Sequence, residues 1–202
     1  MITLLIILFT TIVSYLAFRN REIFSKYMLN SYMVYHKKDY KRLLSHGFIH
    51  ADWGHLFFNM FTLYFFGVSL ESNLGAISSF PSLLYIFIYL SAIVIASVPS
   101  VQKNKNNHWY NSVGASGGVA AILFASILFD PMTGIYIFLI PIPIPGFIFG
   151  LAYLYYSHYM SKKGGDNINH EAHFVGALYG FTIPIFFEPM LLKLFFNQLI
   201  SW

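Results

Sequence analysis

Ser116 stands in the run Gly114-Ala-Ser-Gly-Gly118, at the head of an apolar stretch. A serine hydroxyl becomes a nucleophile when a base within hydrogen-bond reach takes its proton. Small neighbours let a substrate and other backbones approach it. Taken alone, the run fits a helix-packing serine among small residues just as well. The soluble-hydrolase version of the motif needs a strand before it and a helix after it. Here an apolar span follows, so that reading fails.

His173 is the candidate base. It lies in His170-Glu-Ala-His-Phe-Val-Gly-Ala-Leu-Tyr-Gly180, where Ala172, Gly176 and Gly180 recur at four-residue spacing and share one helix face. Gly117, Ala121 and Ala125 form a matching stripe after Ser116. Small-xxx-small faces let two helices pack closely, which would bring His173 within reach of Ser116. No carboxylate completes a triad, because Glu171 is two residues from His173 and points elsewhere around the helix. A Ser-His dyad suffices if packing or backbone groups orient the imidazole.

His55 and Asn59 are four apart and stack on one helix face. Both can donate to a developing oxyanion; the structural alternative is polar adhesion between helices, on the order of 1 kcal/mol. A zinc site is disfavoured by geometry. His170 and His173 are three apart rather than the four of H-E-x-x-H, and His46 and His50 lie in a loop-like stretch without an obvious third ligand. No metal and no cofactor is expected. With no cysteine in the chain, disulfides and thiolate chemistry are excluded.

Several apolar runs are long enough to position these residues across a bilayer, which takes roughly 20 residues. Of the 202 residues 57% are hydrophobic and 10% charged, against about 25% charged in soluble domains. Six spans are predicted, from Ile2 to Phe18, Gly54 to Leu70, Phe80 to Pro99, Val113 to Phe129, Ile144 to Tyr159 and Glu171 to Phe187, the second and fourth being short. Ile2 to Phe18 lacks a basic flank and a small-residue cleavage site, and is taken as a span rather than a signal peptide. The fold class is therefore all-α, a polytopic membrane protein with a compact six-helix bundle, forming one domain over residues 1–202. Counting spans puts the starts of the second, fourth and sixth on one membrane face, so His55, Asn59, Ser116 and His173 share a depth. Polar groups inside a bilayer are costly and mark function by default.

Arg19 to Trp53 holds seven of the twelve basic residues together with Tyr27, Met28, Leu29, Tyr32, Met33 and Val34. It is expected to be a long first loop, partly submerged in the membrane interface, although no clean period separates this from a solvated loop. Ile140-Pro-Ile-Pro-Ile-Pro-Gly146 is expected to be extended, since each proline lacks a donor and disfavours helix before it. Residues 189–202 are read as a surface tail. The +4 net charge is scattered through loops, so nucleic acid is not a partner and anionic lipid headgroups are the expected neighbours.

Arg42-Leu-Leu-Ser-His-Gly-Phe-Ile-His50, His55-Leu-Phe-Phe-Asn59, Gly114-Ala-Ser-Gly117, and Ala172-His173 followed by Gly176 and Gly180 occur in the order and spacing of the rhomboid family, and the chain resembles that family from Arg42 to Gly180. The resemblance implies an intramembrane serine protease with a water-filled cavity open to one membrane face. Ser116 would be the nucleophile and His173 the base. His55, Asn59 and the Ser116 N–H would hold the oxyanion. Arg42 and His50 would support the first loop, while Glu71, ~24 Å from His55 along a helix, would tie helices together at the far face. Gly114, Gly117, Gly176 and Gly180 would permit the close approaches. A mobile loop around Lys162 to Asn169 would cap the site, with Gly164-Gly165 permitting the motion. The partners implied are single-span membrane protein substrates and the lipid bilayer, with homodimerisation left open.

The chain departs from its relatives at Ala120, where some carry a tyrosine stacked on the histidine; Tyr153, Tyr155 and Tyr179 are the candidate substitutes. Eleven cations lie on the site's face and only Lys193 on the other. The positive-inside rule would make that face cytoplasmic, whereas the resemblance implies a cell-membrane protein with its site facing outside the cytoplasm, and the resemblance sets the expectation. A catalytically silent helix-binding scaffold is the nearest alternative, opposed by intact Ser116 and His173. A transporter would need an ionisable path across the membrane, which the apolar interiors do not supply.

Overall fold

The computed structural model describes residues 1–137 and 142–201. In chain order these form α1 (Ile2–Arg19), α2 (Arg21–Tyr27), β1 (Leu29–Asn30), α3 (Ser31–Lys37), α4 (Arg42–Ser45), a 3-10 turn at His46–Phe48, α5 (Trp53–Asn73), a second 3-10 turn at Leu74–Ala76, α6 (Pro81–Lys103), β2 (Asn111–Ser112), α7 (Ser116–Phe129), β3 (Gly134–Ile135), β4 (Ile144–Pro145), α8 (Gly146–Lys163), α9 (His170–Phe187) and α10 (Met190–Ile200).

The six expected spans correspond to α1, α5, α6, α7, α8 and α9. By length and apolar composition, α1 and α6 qualify as membrane-crossing helices on their own, and α9 with α10 as a pair bent by 114°. The protein is an all-helical membrane bundle. Boundaries shift from expectation by up to four residues, as at Lys103 and Lys163, and two of the shifts have visible reasons. Asp52 caps α5 by accepting from the His55 N–H and sets its start at Trp53, and the helix runs on past Leu70 to Asn73, 21 residues rather than a short span. The fourth span starts at Ser116 instead of Val113, because Gly114 holds a positive φ of 116° that no helix continues through.

At 14 residues, α7 is ~21 Å long, less than the ~30 Å hydrocarbon core. Its residues Gly117 to Leu128 are all buried. Packed around it are α5, α6 and α9, with α8 and α10 completing the ring. The closest approach is to α9. A β-carbon added at Gly176 would strike the Gly117 carbonyl, and one at Gly180 would strike the Ala121 backbone. Those two glycines bring the helices to backbone contact, and their four-residue spacing keeps both on one face.

Arg19 to Trp53 is not a featureless loop. Asn20 caps α2 and Asn30 caps α3, each side chain accepting backbone N–H groups of the helix it starts. Arg42 gathers the turns: Nε donates to Asp39 at 2.8 Å, and Nη1 to the carbonyls of Ser25 and Met28 at 2.9 and 2.7 Å. At the opposite end of the bundle the Glu71 carboxylate accepts from the Ile2 and Thr3 N–H groups and the Thr3 hydroxyl. This pins the start of α1 to the end of α5, where a carboxylate also suits the positive pole of a helix.

Of the Pro-rich run Ile140 to Gly146, Ile144–Pro145 pairs antiparallel with Gly134–Ile135; Ile140 and Pro141 lie outside the described residues. The tail forms α10, whose Gln198 donates to the Phe129 carbonyl at 3.1 Å. Trp202 lies outside the described residues.

Candidate active site

Ser116 is the first residue of α7 and is half-buried. No side chain caps this helix, and the amides of Ser116, Gly117 and Gly118 precede the first possible intrahelical acceptor. Three N–H groups at the positive pole of a buried helix are therefore left without an intrahelical acceptor in the turn that carries Ser116, a setting that favours negative charge.

The loop before Ser116 is held by the first-loop histidines. His46 accepts the Gly114 N–H at its carbonyl, 2.9 Å away. The Ala115 N–H donates to His50 Nε2 at 3.4 Å. His50 Nδ1 lies 2.9 Å from Ser14 Oγ, and that oxygen lies 3.0 Å from the Phe48 carbonyl. The roles are then forced, since a carbonyl only accepts: Ser14 donates to Phe48, His50 Nδ1–H donates to Ser14, and Nε2 is the bare nitrogen. This chain requires neutral His50. Burial, with nearby His55 adding, pushes the His50 pKa down to about 3. Burial likewise pushes His46 down to about 4, opposed by hydrogen bonds to the Arg42 and Leu43 backbone.

His55 lies in the first turn of α5 with its ring 5.0 Å from that of His50, edge to face. A β-carbon on Gly114 would sit 2.5 Å from His55 Cε1 and 2.7 Å from Nε2, so the imidazole lies directly over the backbone two residues before Ser116. Asn59 is buried one turn along, and its Nδ2 donates to the His55 carbonyl at 2.9 Å.

His173 is in the first turn of α9. Asn169 sets that turn: its carbonyl accepts the His173 N–H, its Oδ1 accepts the Ala172 N–H, and its Nδ2 donates to Ser100 Oγ at 2.8 Å and Tyr110 OH at 3.4 Å. Of the three tyrosine candidates Tyr153 stacks on His173, with ring centres 6.3 Å apart and planes 21° apart. Tyr155 stacks on Tyr159 instead, and Tyr179 donates to Ser91 at 2.7 Å. Phe124 and Phe149 back the Tyr153 ring.

The two halves meet where α7 and α9 touch. A β-carbon at Gly117 would lie 3.5 Å from the Ala172 carbonyl; Gly117 follows Ser116 and Ala172 precedes His173. The first turns carrying the hydroxyl and the imidazole thus adjoin. Among the described residues, neither Ser116 Oγ nor the His173 ring takes part in a hydrogen bond. His55 lies against the Gly114 loop, and Asn59 is bonded to the His55 carbonyl one turn along α5. Glu71 is remote, bound to α1.

The residue pattern did not reveal Ser14 or Asp166. Ser14 shares the first span with Thr3, Thr10 and Thr11, so no signal in the sequence set it apart from those hydroxyls. Asp166 accepts from His170 at 3.0 Å, which holds its carboxyl below the usual range, and His170 packs edge-on against His173 at 5.9 Å.

A sequence model of the rhomboid domain matches residues 37–189. The chain belongs to the rhomboid family. Among curated rhomboids, it is similar to "RHOMBOID-like protein 12, mitochondrial" of Arabidopsis thaliana, 28% identical over 167 residues that cover 75% of this chain and 49% of that protein. It is also similar to "Rhomboid-like protein 14, mitochondrial" of the same plant, 29% identical over 104 residues, 50% of this chain and 30% of that one. The chain therefore spans at most about half the length of these rhomboid relatives.

Proposed function

We propose that the chain is a serine endopeptidase that cleaves single-span membrane proteins in or near their transmembrane segment with Ser116 and His173 as a dyad. The observation that carries this reading is the backbone contact of Gly117 with Ala172 and Gly176, which sets the serine and histidine turns side by side. In the reaction Ser116 Oγ attacks the scissile carbonyl carbon while His173 takes its proton. The carbonyl oxygen becomes an oxyanion in front of the α7 amides, with the Ser116 N–H, His55 and Asn59 as donors. Collapse breaks the C–N bond, and His173 returns the proton to the leaving amine. Water, deprotonated by the same imidazole, then releases the acyl group from Ser116.

Among the described residues no carboxylate bonds to His173, and Tyr153 orients the imidazole by stacking on its ring. Packing fixes a ring plane without adding charge, which suits a site within an apolar bundle. Because α7 is shorter than the hydrocarbon core, a bilayer centred on the bundle leaves Ser116 below the membrane surface. A substrate helix would have to unwind to present its bond there.

A fluorophosphonate probe tests the nucleophile. It should label the detergent-solubilised protein, and Ser116→Ala should abolish labelling while the fold persists by circular dichroism. Labelling that survives in Ser116→Ala ends the assignment. No labelling of a folded wild type favours the silent scaffold.

The site is further proposed to face outside the cytoplasm in the cell membrane. Cysteines placed singly at Lys103 and Lys162 should react with an impermeant maleimide on intact cells, with no background from a chain that lacks cysteine. Reaction only after lysis would assign the face to the cytoplasm, as the positive-inside rule has it.

A further inference from the structure

We propose that Lys38 and Lys105 form a binding site for the headgroup of an anionic phospholipid, built where α3 meets the α6–β2 connection. The two ammonium groups come from different elements and converge on one ring. Lys38 Nζ lies 5.4 Å and Lys105 Nζ 5.0 Å from the centre of Tyr35, so they are no farther apart than about 10 Å. Among the described residues the ion pairs are Lys41–Asp39, Arg42–Asp39 and His170–Asp166. Neither lysine has a carboxylate partner, and Asp39, next in sequence to Lys38, is engaged by Arg42.

The arrangement is held in place. His36 Nε2 and Asn106 Oδ1 are 3.1 Å apart, the Tyr32 and His108 rings lie 3.6 Å apart centre to centre, and Asn30 donates to the His108 carbonyl and to Asn111. The connection bearing Lys105 is thereby docked on α3. Two like charges held near one ring repel each other, and an anion bound to both offsets that repulsion.

The backbone adds an independent observation. Lys38 is the single non-glycine residue with a positive φ among the described residues, at φ 57° and ψ 28° as the C-cap of α3. Glycine or asparagine takes this left-handed position at lower cost. A lysine there is unfavourable for the fold, which points to a use for its side chain.

Charge distribution selects the partner. The face carrying the site has eleven cations against five carboxylates, a net +6; the other face has Lys193 against Glu71, Asp130 and Glu188, a net −2. Exposed Tyr35, Tyr40 and Trp109 accompany the lysines, as aromatics do at headgroup depth. A phosphodiester at the membrane surface meets both requirements at once. This inference stands whether or not Ser116 is a nucleophile.

The test is a native mass spectrometry titration of the full chain in detergent with dioctanoyl-phosphatidylglycerol and dioctanoyl-phosphatidylcholine. One phosphatidylglycerol should bind, with phosphatidylcholine about tenfold weaker or more. Lys105→Gln and Lys38→Asn should each weaken it about fivefold, the amount expected for one lysine at an anionic surface. Lys38→Asn should keep or raise the melting temperature, so loss of binding there cannot be ascribed to unfolding. The double variant Lys162→Gln/Lys163→Gln, which removes as much charge as the two site substitutions together, should change affinity less than about twofold. Equal weakening by that pair, equal binding of phosphatidylcholine, or undiminished binding to folded Lys38→Asn would overturn the site. Displacement of the lipid by inorganic phosphate or an oligoglutamate peptide at equal concentration would overturn the choice of partner.

Discussion

The His55 imidazole occupies the space where a side chain on Gly114 would begin. With its φ of 116°, this glycine has two separate reasons to be glycine, one steric and one conformational. Both concern the backbone that delivers Ser116 to the head of α7. The residue is thus part of the site's geometry although it carries no functional group.

Gly114→Ala should accordingly displace His55 or distort the turn. Overpacking of this kind costs ~1–3 kcal/mol, and a left-handed alanine adds ~1 kcal/mol. Probe labelling at Ser116 should fall at least tenfold, with a melting temperature several degrees lower. A Gly114→Ala protein that labels like wild type would show that the imidazole moves away freely and does not hold the loop.

The α7–α9 seam predicts a contrast between two glycines. A β-carbon at Gly180 runs into the Ala121 backbone, whereas one at Gly75 meets nothing within 4 Å. Gly180→Ala must force the helices apart and should destabilise by ~2 kcal/mol or more. Gly75→Ala should be neutral, or stabilising by ~0.4–1 kcal/mol through the unfolded chain. Thermal melts of both variants in one detergent decide it; equal midpoints would mean that the seam is looser than its backbone contact implies.

That seam was legible in the sequence because small residues at four-residue spacing are a local pattern. The caps at Asn20, Asn30, Asp52 and Asn169 are local too, each acting on the helix that follows it, yet the residue pattern did not single them out. The rest of what escaped was non-local. Ser14, His50 and Ala115 are joined across 36 and 65 residues, and no spacing rule connects a serine in one span to a histidine before the next. Choosing Tyr153 over Tyr155 and Tyr179 depends on how α8 and α9 are rotated against their neighbours, which the sequence of neither helix states. The first loop hid its helices because α2 and α3 have seven residues each, too few for a period to stand out.

The neutral His50 chain makes stability depend on pH. Folded His50 and His46 have pKa values of about 3 and about 4, below the ordinary histidine value of ~6.5. The unfolded chain therefore binds more protons over that interval, and stability rises with pH. The contribution is fully present above ~6.5 and is lost as pH falls toward the folded values, by up to ~1.4 kcal/mol per unit for each histidine. The melting temperature should drop between pH 7 and pH 5. His50→Gln should flatten that dependence in part, His46 keeping its share. A wild-type midpoint constant across this range would refute the neutral chain.

Asn59 separates catalysis from structure most sharply. Its side-chain amide donates to the His55 carbonyl within its own helix, so its observed bond adds nothing to adhesion between helices. The second amide hydrogen remains to donate, one turn from His55 and on the same face. Should it serve the transition state, Asn59→Ala loses a donor whose removal typically costs ~10²–10³ in turnover. Substrate binding should change little, because that bond strengthens only as charge develops on the carbonyl oxygen. Probe labelling should persist weakly, since Ser116 and His173 stay in place. The melting temperature should remain within a few degrees, as a single lost intrahelical bond is worth about 1 kcal/mol. Turnover and melting temperature measured in one detergent form the decisive comparison. Near-normal turnover with a much lower midpoint would make Asn59 a residue that holds His55 and α5 in position, and the oxyanion would then rest on the α7 amides and His55 alone.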